Sequence, residues 1–432
     1  MKIKADYIIV GSGAGGASVA RELARAGKNV LVLEKGKFAT NIGTQVGALK
    51  FYDHFALRSS IEGFIVYSAI MGGGSTVICC GNGMPVLSKE LEAFGIDLSE
   101  EFKETENELE IRPLPEELIG EGSQLIMRTG NKIGLEMIPM PKFVDFSKCD
   151  SCGKCVLGCI RGAKWTAVKY LQEMQQHGGR ILYGVDVKKI IVKKGRAVSL
   201  IAKKGMKKII LDANYIVLAA GGLATPAILK RSGLKDAGNK LFVDFFNVTF
   251  GTLKDVSVNL YKEPTMAVVS TKYLQDKGFL VSPFLFPPLI MPWIMPLFKL
   301  GKLFNYRNLL GIMTKIKDDN EGKVLSNGRF YKKPTKEDII RLNEGEEIAT
   351  QILREAGVKE KDIFTSKSCG AHPGGTAAIG DVVDSDLMTE IANLFVCDAS
   401  VLPVSSGAPP IVTIVSLGKR LGKYLSRDQM KR

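Results

Sequence analysis

The chain has 432 residues, 45% of them hydrophobic and 24% charged, with a formal net charge of +14. That length allows one large core or two domains, and that balance excludes a disordered or collagen-like chain. The excess of Lys and Arg suits anionic surfaces, acidic electron carriers or lipid headgroups, or simply a solvated face; with no recognition motif beside it, nucleic-acid binding is set aside.

No charged n-region, apolar h-region and cleavage site opens the chain, which predicts a cytoplasmic protein, with a peripheral place at the inner membrane surface as a variant. Asp6–Val10 (DYIIV) reads as a buried strand running into GSGAGG, with Gly11, Gly13 and Gly16 in GxGxxG register. An alanine-rich helix ending at Gly27 follows, then a strand at Asn29–Leu33 closed by Glu34. Strand, glycines, helix, strand and acid in that order make the dinucleotide fingerprint. The glycines allow a tight turn and close backbone approach, the helix N-terminus faces a pyrophosphate, and Glu34 suits a ribose hydroxyl. This segment leaves NAD and FAD both open.

A second glycine-rich loop, MGGGST at Met71–Thr76, suits a wrap around a phosphate or a flat ring. Cys79 and Cys80 behind it read as buried free cysteines rather than metal ligands. Between 87 and 141 the pattern is mostly helical, with Ser99–Glu110 as an acidic, solvated helix broken by Pro113 and Pro115.

Cys149, Cys152, Cys155 and Cys159 then fall within eleven residues, in the spacing CxxCxxCxxxC. So dense a set of thiolates repels itself unless metal neutralises it, and the spacing matches the run that holds iron–sulfur clusters in bacterial ferredoxins. Zinc ligands usually come as two separated pairs, which places zinc second. Ile160 stands where those ferredoxins have Pro, and no second run exists. Cys149, Cys152 and Cys155 are therefore the firmest ligands, and the fourth is Cys159, a remote cysteine, or absent. The expectation is one 4Fe–4S or 3Fe–4S cluster, and thiols used this way fit a reducing compartment.

Beyond the run come a helix at Thr166–Met174, strands at Arg180–Val192 and Ala197–Ile201, and a buried parallel-type strand at Tyr215–Ala220. That last strand enters GGLATPAILKRSG, in which Thr225 suits a cap, Pro226 the first helical position and Gly233 the stop. From Phe242 to about Lys333 strands and irregular stretches dominate. Within them Gly278–Phe298 is twenty-one residues without a charge. Prolines at 283, 287, 288, 292 and 296 argue against a membrane helix. The stretch reads as an apolar loop that lines a lipophilic pocket, dips into a bilayer surface, or packs in the core or against a second copy. A helix at Pro334–Ala356 opens on a capping box of Thr335 and Asp338. SCGAHPGGTAAIG follows at Ser368–Gly380, then a strand in Ile391–Ser400 ending at Asp398 and a terminal helix whose Lys419, Arg420, Lys423 and Arg427 complement its dipole without needing partners.

Taken together, VGSGAGG with Glu34, GGGST, AAGGLATPAILKRSG, HPGGTAAIG and NLFVCDASVLPVSSGAPPIVTI resemble the glucose–methanol–choline (GMC) flavoprotein oxidoreductases. The motifs stand in the family's order from residue 6 to the C-terminus, with a weak match over about 242–333. GCIRGAKWTAVKYL, Gly158–Leu171, is similar to the long-chain alcohol oxidase branch, and the added cysteines to GMC-like sugar dehydrogenases that carry an iron–sulfur cluster. The chain is shorter than typical members, which implies a trimmed substrate domain.

The resemblance implies an α/β fold, with a Rossmann-like FAD-binding domain and a second, smaller α+β substrate domain. The expected division is 1–86, 180–241 and 357–432 for FAD, 87–179 for a cap segment with the cysteine run, and 242–356 for substrate. FAD, rather than NAD, would rest on Gly11, Gly13, Gly16 and Glu34 at the ADP half, on Gly73, Gly74 and Ser75 near the pyrophosphate and flavin, and on Val187 at the adenine side. Asp398 would orient the ribityl–phosphate portion, and the helix starting at Pro410 and Ile411 would face the pyrimidine edge. Of the three histidines, His54 reads as a core residue, His177 as solvent-facing, and His372 as the family histidine over the flavin, a catalytic acid–base group. Pro409 stands where the family usually has a second His or Asn. The implied activity moves a hydride between an alcohol or carbonyl, lipophilic in character, and FAD, with single electrons passing through the cluster to or from an external carrier or partner subunit. The alternatives are a reductase of a lipid carbonyl or alkene, and a non-catalytic electron-transfer subunit.

Overall fold

The computed structural model describes residues 2–38, 40, 42–53, 58–253 and 258–427. His54 lies outside them. The first expected strand is longer than its apolar stretch and runs Lys2–Val10. It lies inside a seven-stranded sheet in the order Arg180–Tyr183, Val30–Glu34, Lys2–Val10, Lys207–Leu218, Arg196–Lys204, Val185–Lys193, with Leu394–Val396 also on Lys207–Leu218. Val10 pairs in parallel with both Leu33 and Leu218, and Leu218 with Val396. Continuous apolar runs are what strands covered on both faces require, and Ile8, Val32 and Val217 are completely buried.

The helices Ala14–Arg25 and Ile411–Ser426 cover this sheet side by side. They touch closely because Gly418 and Gly422 present no side chain. A Cβ on Gly418 would stand 2.6 Å from Ser18 Cβ, and one on Gly422 2.5 Å from Glu22 Cβ. Three of the four cations named in the terminal helix are paired, contrary to the sequence expectation. Buried Lys419 meets Glu108 at 2.8 Å, Lys423 meets Glu104 at 2.7 Å, and Arg420 approaches Asp386 at 3.5 Å. Their partners explain the acidic helix, Ser99–Glu108, which packs here through Thr105 and Ser416 instead of standing free in solvent. Thr225 also differs from expectation. It gives its hydroxyl to Asp398 and does not cap the helix Thr225–Ser232, which ends at left-handed Gly233 as read.

A second, antiparallel sheet is ordered Phe279–Pro283, Leu309–Ile316, Phe245–Thr252, Ile363–Thr365, with Cys369–Gly370 also on Phe245–Thr252. Helix Lys336–Glu355 lies on it, opened by the expected capping box of Thr335 and Asp338. The uncharged stretch 278–298 divides between two roles. Phe279–Pro283 is a buried strand at the end of the sheet, whereas Trp293, Leu297 and Phe298 are exposed, Phe298 by 83%. Among the described residues no helix is long and apolar enough to cross a membrane.

Candidate active site

A cavity of about 1110 Å³ opens where Lys2–Val10, Lys207–Leu218 and Leu394–Val396 end together, the carboxyl edge at which open parallel sheets bind ligands. Gly11, Gly13, Glu34, Gly74 and Ser75 line it from the fingerprint side. Val187, Asp398, Pro410, Ile411 and His372 line it elsewhere, as does Pro409. Gly16 and Gly73 stand behind the lining. A Cβ on Gly16 would lie 2.2 Å from Gly11 O, and the Gly73 amide donates to Ser12 Oγ at 3.1 Å. Those two glycines shape the cradle from within.

The cradle depends on backbone that side chains would block. Gly11 has φ +105°, and a Cβ there would stand 2.1 Å from Ala219 O. Gly13 faces open space, with nothing within 4 Å of its Cβ position, and a Cβ on Gly74 would stand 3.1 Å from Gly13 Cα. Glu34 is buried behind the turn and accepts from Ser12 N, Ser12 Oγ (2.6 Å) and Gly36 N (2.6 Å). Burial pushes its carboxyl up against those three bonds. The Asp398 carboxylate is likewise taken up by protein donors: Gly221 N at 2.8 Å, Thr225 Oγ1 at 2.6 Å, and Ser400 N and Oγ. Its hold on any ligand therefore passes through the Gly221 turn.

The second sheet supplies the other wall. His372 follows Cys369–Gly370, Asp244 precedes Phe245, and Lys315 lies near the end of Leu309–Ile316. The register sets Phe245 opposite Gly370 and Phe246 opposite Lys315, so one strand brings all three side chains together. His372 Nδ1 lies 2.8 Å from Asp244 Oδ2 and 2.7 Å from Lys315 Nζ. Lys315 Nζ and Asp244 Oδ2 are 3.5 Å apart. Nδ1 is thus engaged twice, and Nε2 has no protein partner among the described residues.

Asp244 is fully buried at φ +49°, a left-handed conformation that aspartate tolerates better than most residues. Ser405 Oγ donates to it at 2.5 Å, and its amide donates to Asp318 at 2.7 Å. Burial alone would push the Asp244 carboxyl up, but Lys315 and the His372 hydrogen bond hold it below the usual carboxylate range. Burial pulls Lys315 down, and burial together with Lys315 pulls His372 down against Asp244. Lys315 and Asp244 escaped the sequence reading. Their one signal is an isolated charge in an apolar run, LLGIMTKI and FVDFF.

The cysteine run winds through a short turn at Cys155–Leu157, with Ser151, Gly153 and Gly158 at positive φ. Its four thiols are partly buried. Among the described residues no three His, Cys, Asp or Glu side chains converge on a point that would hold a metal ion, so the expected centre at Cys149, Cys152, Cys155 and Cys159 is not assembled as a single-ion site. Burial pushes the Cys149 thiol up, with Cys155 and Cys159 adding to it, and burial pushes Cys152 up to about 11. Two buried lysines stand beside the run. Lys164 donates to the carbonyls of Val77, Cys79 and Cys155, and Lys142 to Cys80 O, Asn82 Oδ1 and Thr265 O. Cys79 and Cys80, read as buried free cysteines, are free, partly buried and line the cavity. His177 is exposed at the end of helix Ala167–Gln176, as expected.

The GMC oxidoreductase profiles match residues 5–265 with the N-terminal domain and 316–418 with the C-terminal domain. The chain belongs to the GMC oxidoreductase family. An uncharacterized protein of Methanocaldococcus jannaschii is 32% identical over 416 residues, covering 96% of this chain and 98% of its own. A long-chain-alcohol oxidase of Arabidopsis thaliana, FAO4B, is 26% identical over 96% of this chain, which spans 66% of that enzyme. Two solved GMC folds overlay it. Pyridoxine 4-oxidase from Mesorbium loti has TM-score 0.74 at 17% identity, covering 97% of this chain and 99% of its own. Formate oxidase from Aspergillus oryzae has TM-score 0.75 at 15% identity, covering 100% and 99%. As a GMC oxidoreductase the protein is an FAD-dependent enzyme acting on CH–OH donors. The cavity fits that cofactor: it is large, it has a glycine turn with clear space above Gly13, and a helix N-terminus opens onto it at Ile411.

Proposed function

We propose that this enzyme transfers a hydride between FAD and the alcohol or carbonyl carbon of a lipophilic substrate, with His372 as the acid–base group. The observation that carries this reading is the free Nε2 of His372 on a cavity that Phe246, Phe284, Phe286 and Met313 also line. When bound, the flavin supplies the hydride acceptor or donor. Gly11, Gly13 and the Glu34 turn would hold its ADP side, Gly74 and Ser75 would lie near the pyrophosphate and flavin, and Val187 and the Asp398-held Gly221 turn would border it. The protein's own part is to keep water from the reacting carbon with aromatic walls and to hold or release one proton at Nε2. The division 1–86, 180–241 and 357–432 for FAD, 87–179 for the cap and 242–356 for substrate is supported by the two separate sheets.

The cysteine run is the second component of the proposal. Four neighbouring thiols suit a polynuclear iron–sulfur cluster better than a single ion, and such a cluster carries net negative charge. Lys142 and Lys164 are buried cations with no carboxylate partner among the described residues, which is the compensation that charge needs. A cluster there would supply one-electron exchange with an external carrier. The apolar segment supports a membrane-surface contact. Phe284, Phe286, Pro287 and Ile290 line the cavity, while Trp293, Leu297 and Phe298 stand exposed just beyond, beside Lys299.

Anaerobic purification followed by flavin bleaching with long-chain primary alcohols and with small sugars tests the main reading. Bleaching by alcohols supports it, and turnover of sugars alone rejects the lipophilic substrate. Iron and labile-sulfide analysis with electron paramagnetic resonance tests the cluster. Cys152→Ser should lose the cluster signal and keep FAD, and stoichiometric zinc without iron would reject it. Co-sedimentation with anionic vesicles tests the surface contact.

A further inference from the structure

His372 Nδ1 has one in-plane position, yet two groups sit on it: Asp244 Oδ2 at 2.8 Å and Lys315 Nζ at 2.7 Å. An imidazole nitrogen either donates its proton or accepts one, and cannot do both. If Lys315 is an ammonium, it donates to Nδ1, and the ring's own proton resides on Nε2. If Lys315 is an amine, Nδ1–H goes to Asp244 and Nε2 is bare. The two arrangements differ by one proton and present opposite chemistry to the cavity. Nε2–H is a donor suited to a carbonyl oxygen. Bare Nε2 is a base suited to an alcohol.

We propose that Lys315, His372 and Asp244 exchange one proton as a unit, and that Lys315 thereby decides whether His372 meets the substrate as donor or as base. Lys315 acts through His372 and is a positioning residue. The inference rests on His372 being the acid–base group.

The surroundings make the unit self-contained. Lys315 is 3% exposed and Asp244 not at all. Other groups facing the trio are Ser405 and Ser406 on Asp244, the Asp318–Lys332 pair behind it, and Cys80 near Lys315. Lys332 compensates Asp318, and burial pushes the Cys80 thiol up to about 12, so neither adds a net charge at neutral pH. Burial lowers the affinity of Lys315 for its proton, which brings amine and ammonium within reach of each other.

In the oxidising direction the alcohol loses one proton and one hydride. The alcohol O–H bond breaks and its proton goes to bare Nε2. Nδ1 passes its proton to the Lys315 amine, which becomes the ammonium beside Asp244. The hydride leaves the same carbon for the flavin, and the C–O bond becomes a carbonyl. In the reducing direction the Lys315 ammonium returns the proton along the same path. The pair should therefore favour reduction at low pH and oxidation at high pH, with one shared apparent pKa.

The test is imidazole 15N NMR on the holoenzyme labelled in histidine. Three histidines give few signals, and the one lost in His372→Asn is assigned. Wild type should show Nε2 protonated at neutral pH and a single step to Nδ1–H as pH rises. Lys315→Met should show Nδ1–H and bare Nε2 at neutral pH. Its pH profile for flavin bleaching by dodecanol should move down by roughly one unit or more. Lys315→Arg, which cannot lose its proton, should hold Nε2–H at every pH and cost at least about tenfold in bleaching while abolishing its alkaline rise. Bare Nε2 in wild type at neutral pH overturns the proposal, as does an unchanged tautomer in Lys315→Met. If the tautomers behave as stated but His372→Ala still bleaches normally, the acid–base role of His372 fails and the proton unit stands. The wild-type titration decides the proposal even if a variant does not fold.

Discussion

Lys332 and Asp318 meet at 2.7 Å with both side chains fully buried. The Asp318 carboxylate also receives the amides of Val243 and Asp244, so this pair fixes the backbone that carries Asp244 to His372. Removing one partner of a buried pair strands the other charge. Lys332→Met should cost about 3–5 kcal/mol in denaturant unfolding, and adding Asp318→Asn should recover part of it. A loss under about 1 kcal/mol would show that the pair does not anchor the wall.

His372→Ala should keep FAD but slow flavin reduction by substrate by about two to four orders of magnitude, while dithionite still reduces it. Rapid mixing measures this. Slowing of less than about tenfold would leave proton transfer to water or a carboxylate and favour a relay function.

Two glycines of one turn should respond differently. Gly11→Ala forces a Cβ against Ala219 O at left-handed φ and should damage the fold itself. Gly13→Ala meets no protein atom within 4 Å, so the apoprotein should unfold within about 1 kcal/mol of wild type. It should nevertheless lose FAD on gel filtration, because the methyl enters the space that the pyrophosphate needs. Full FAD retention would remove Gly13 from the cradle.

Glu263 is buried against Ser123 Oγ and Gly120 N, each at 2.7 Å, and burial pushes its carboxyl up to about 7. Between the ordinary glutamate range and that value, the folded chain keeps a proton that the unfolded chain has released. Stability should therefore fall as pH rises through the window, by on the order of 3 kcal/mol. Glu263→Gln should flatten the slope between about pH 5 and pH 8 in urea unfolding.

The Rossmann half was legible because its signals are local. Gly11 and Glu34 lie only 23 residues apart, 34 minus 11, in one strand–helix–strand stretch, and the parallel strands around them are rich in apolar residues. Gly233 and the Thr335–Asp338 box were legible for the same reason. The wall around His372 was not. Lys315 and Asp244 are 71 residues apart, as 315 minus 244, and each looks like a stray charge in a strand until the antiparallel register joins them. The terminal helix shows the converse error. Lys419 and Lys423 satisfy a helix-dipole rule alone, but Glu104 and Glu108, three hundred residues earlier in the chain, are what they meet. The cysteine run was visible as spacing, whereas the lysines that flank it became visible only once the loops at 77–82 and 149–159 came together around Lys164.

The shared strand Phe245–Thr252 also ties the chemistry to the cooperativity of the fold. It is buried along its whole length and hydrogen-bonded to three other strands, the kind of segment whose amides exchange only on global unfolding. Asp244 heads that strand, and Lys315 and the Cys369–Gly370 pair before His372 are zipped to it. The trio of His372, Asp244 and Lys315 therefore has no local melting of its own. Under heating, the arrangement of His372, Asp244 and Lys315 should survive until the second sheet gives way and then vanish in a single step. Loops elsewhere, including the one that carries the four cysteines, are free to open earlier without disturbing it.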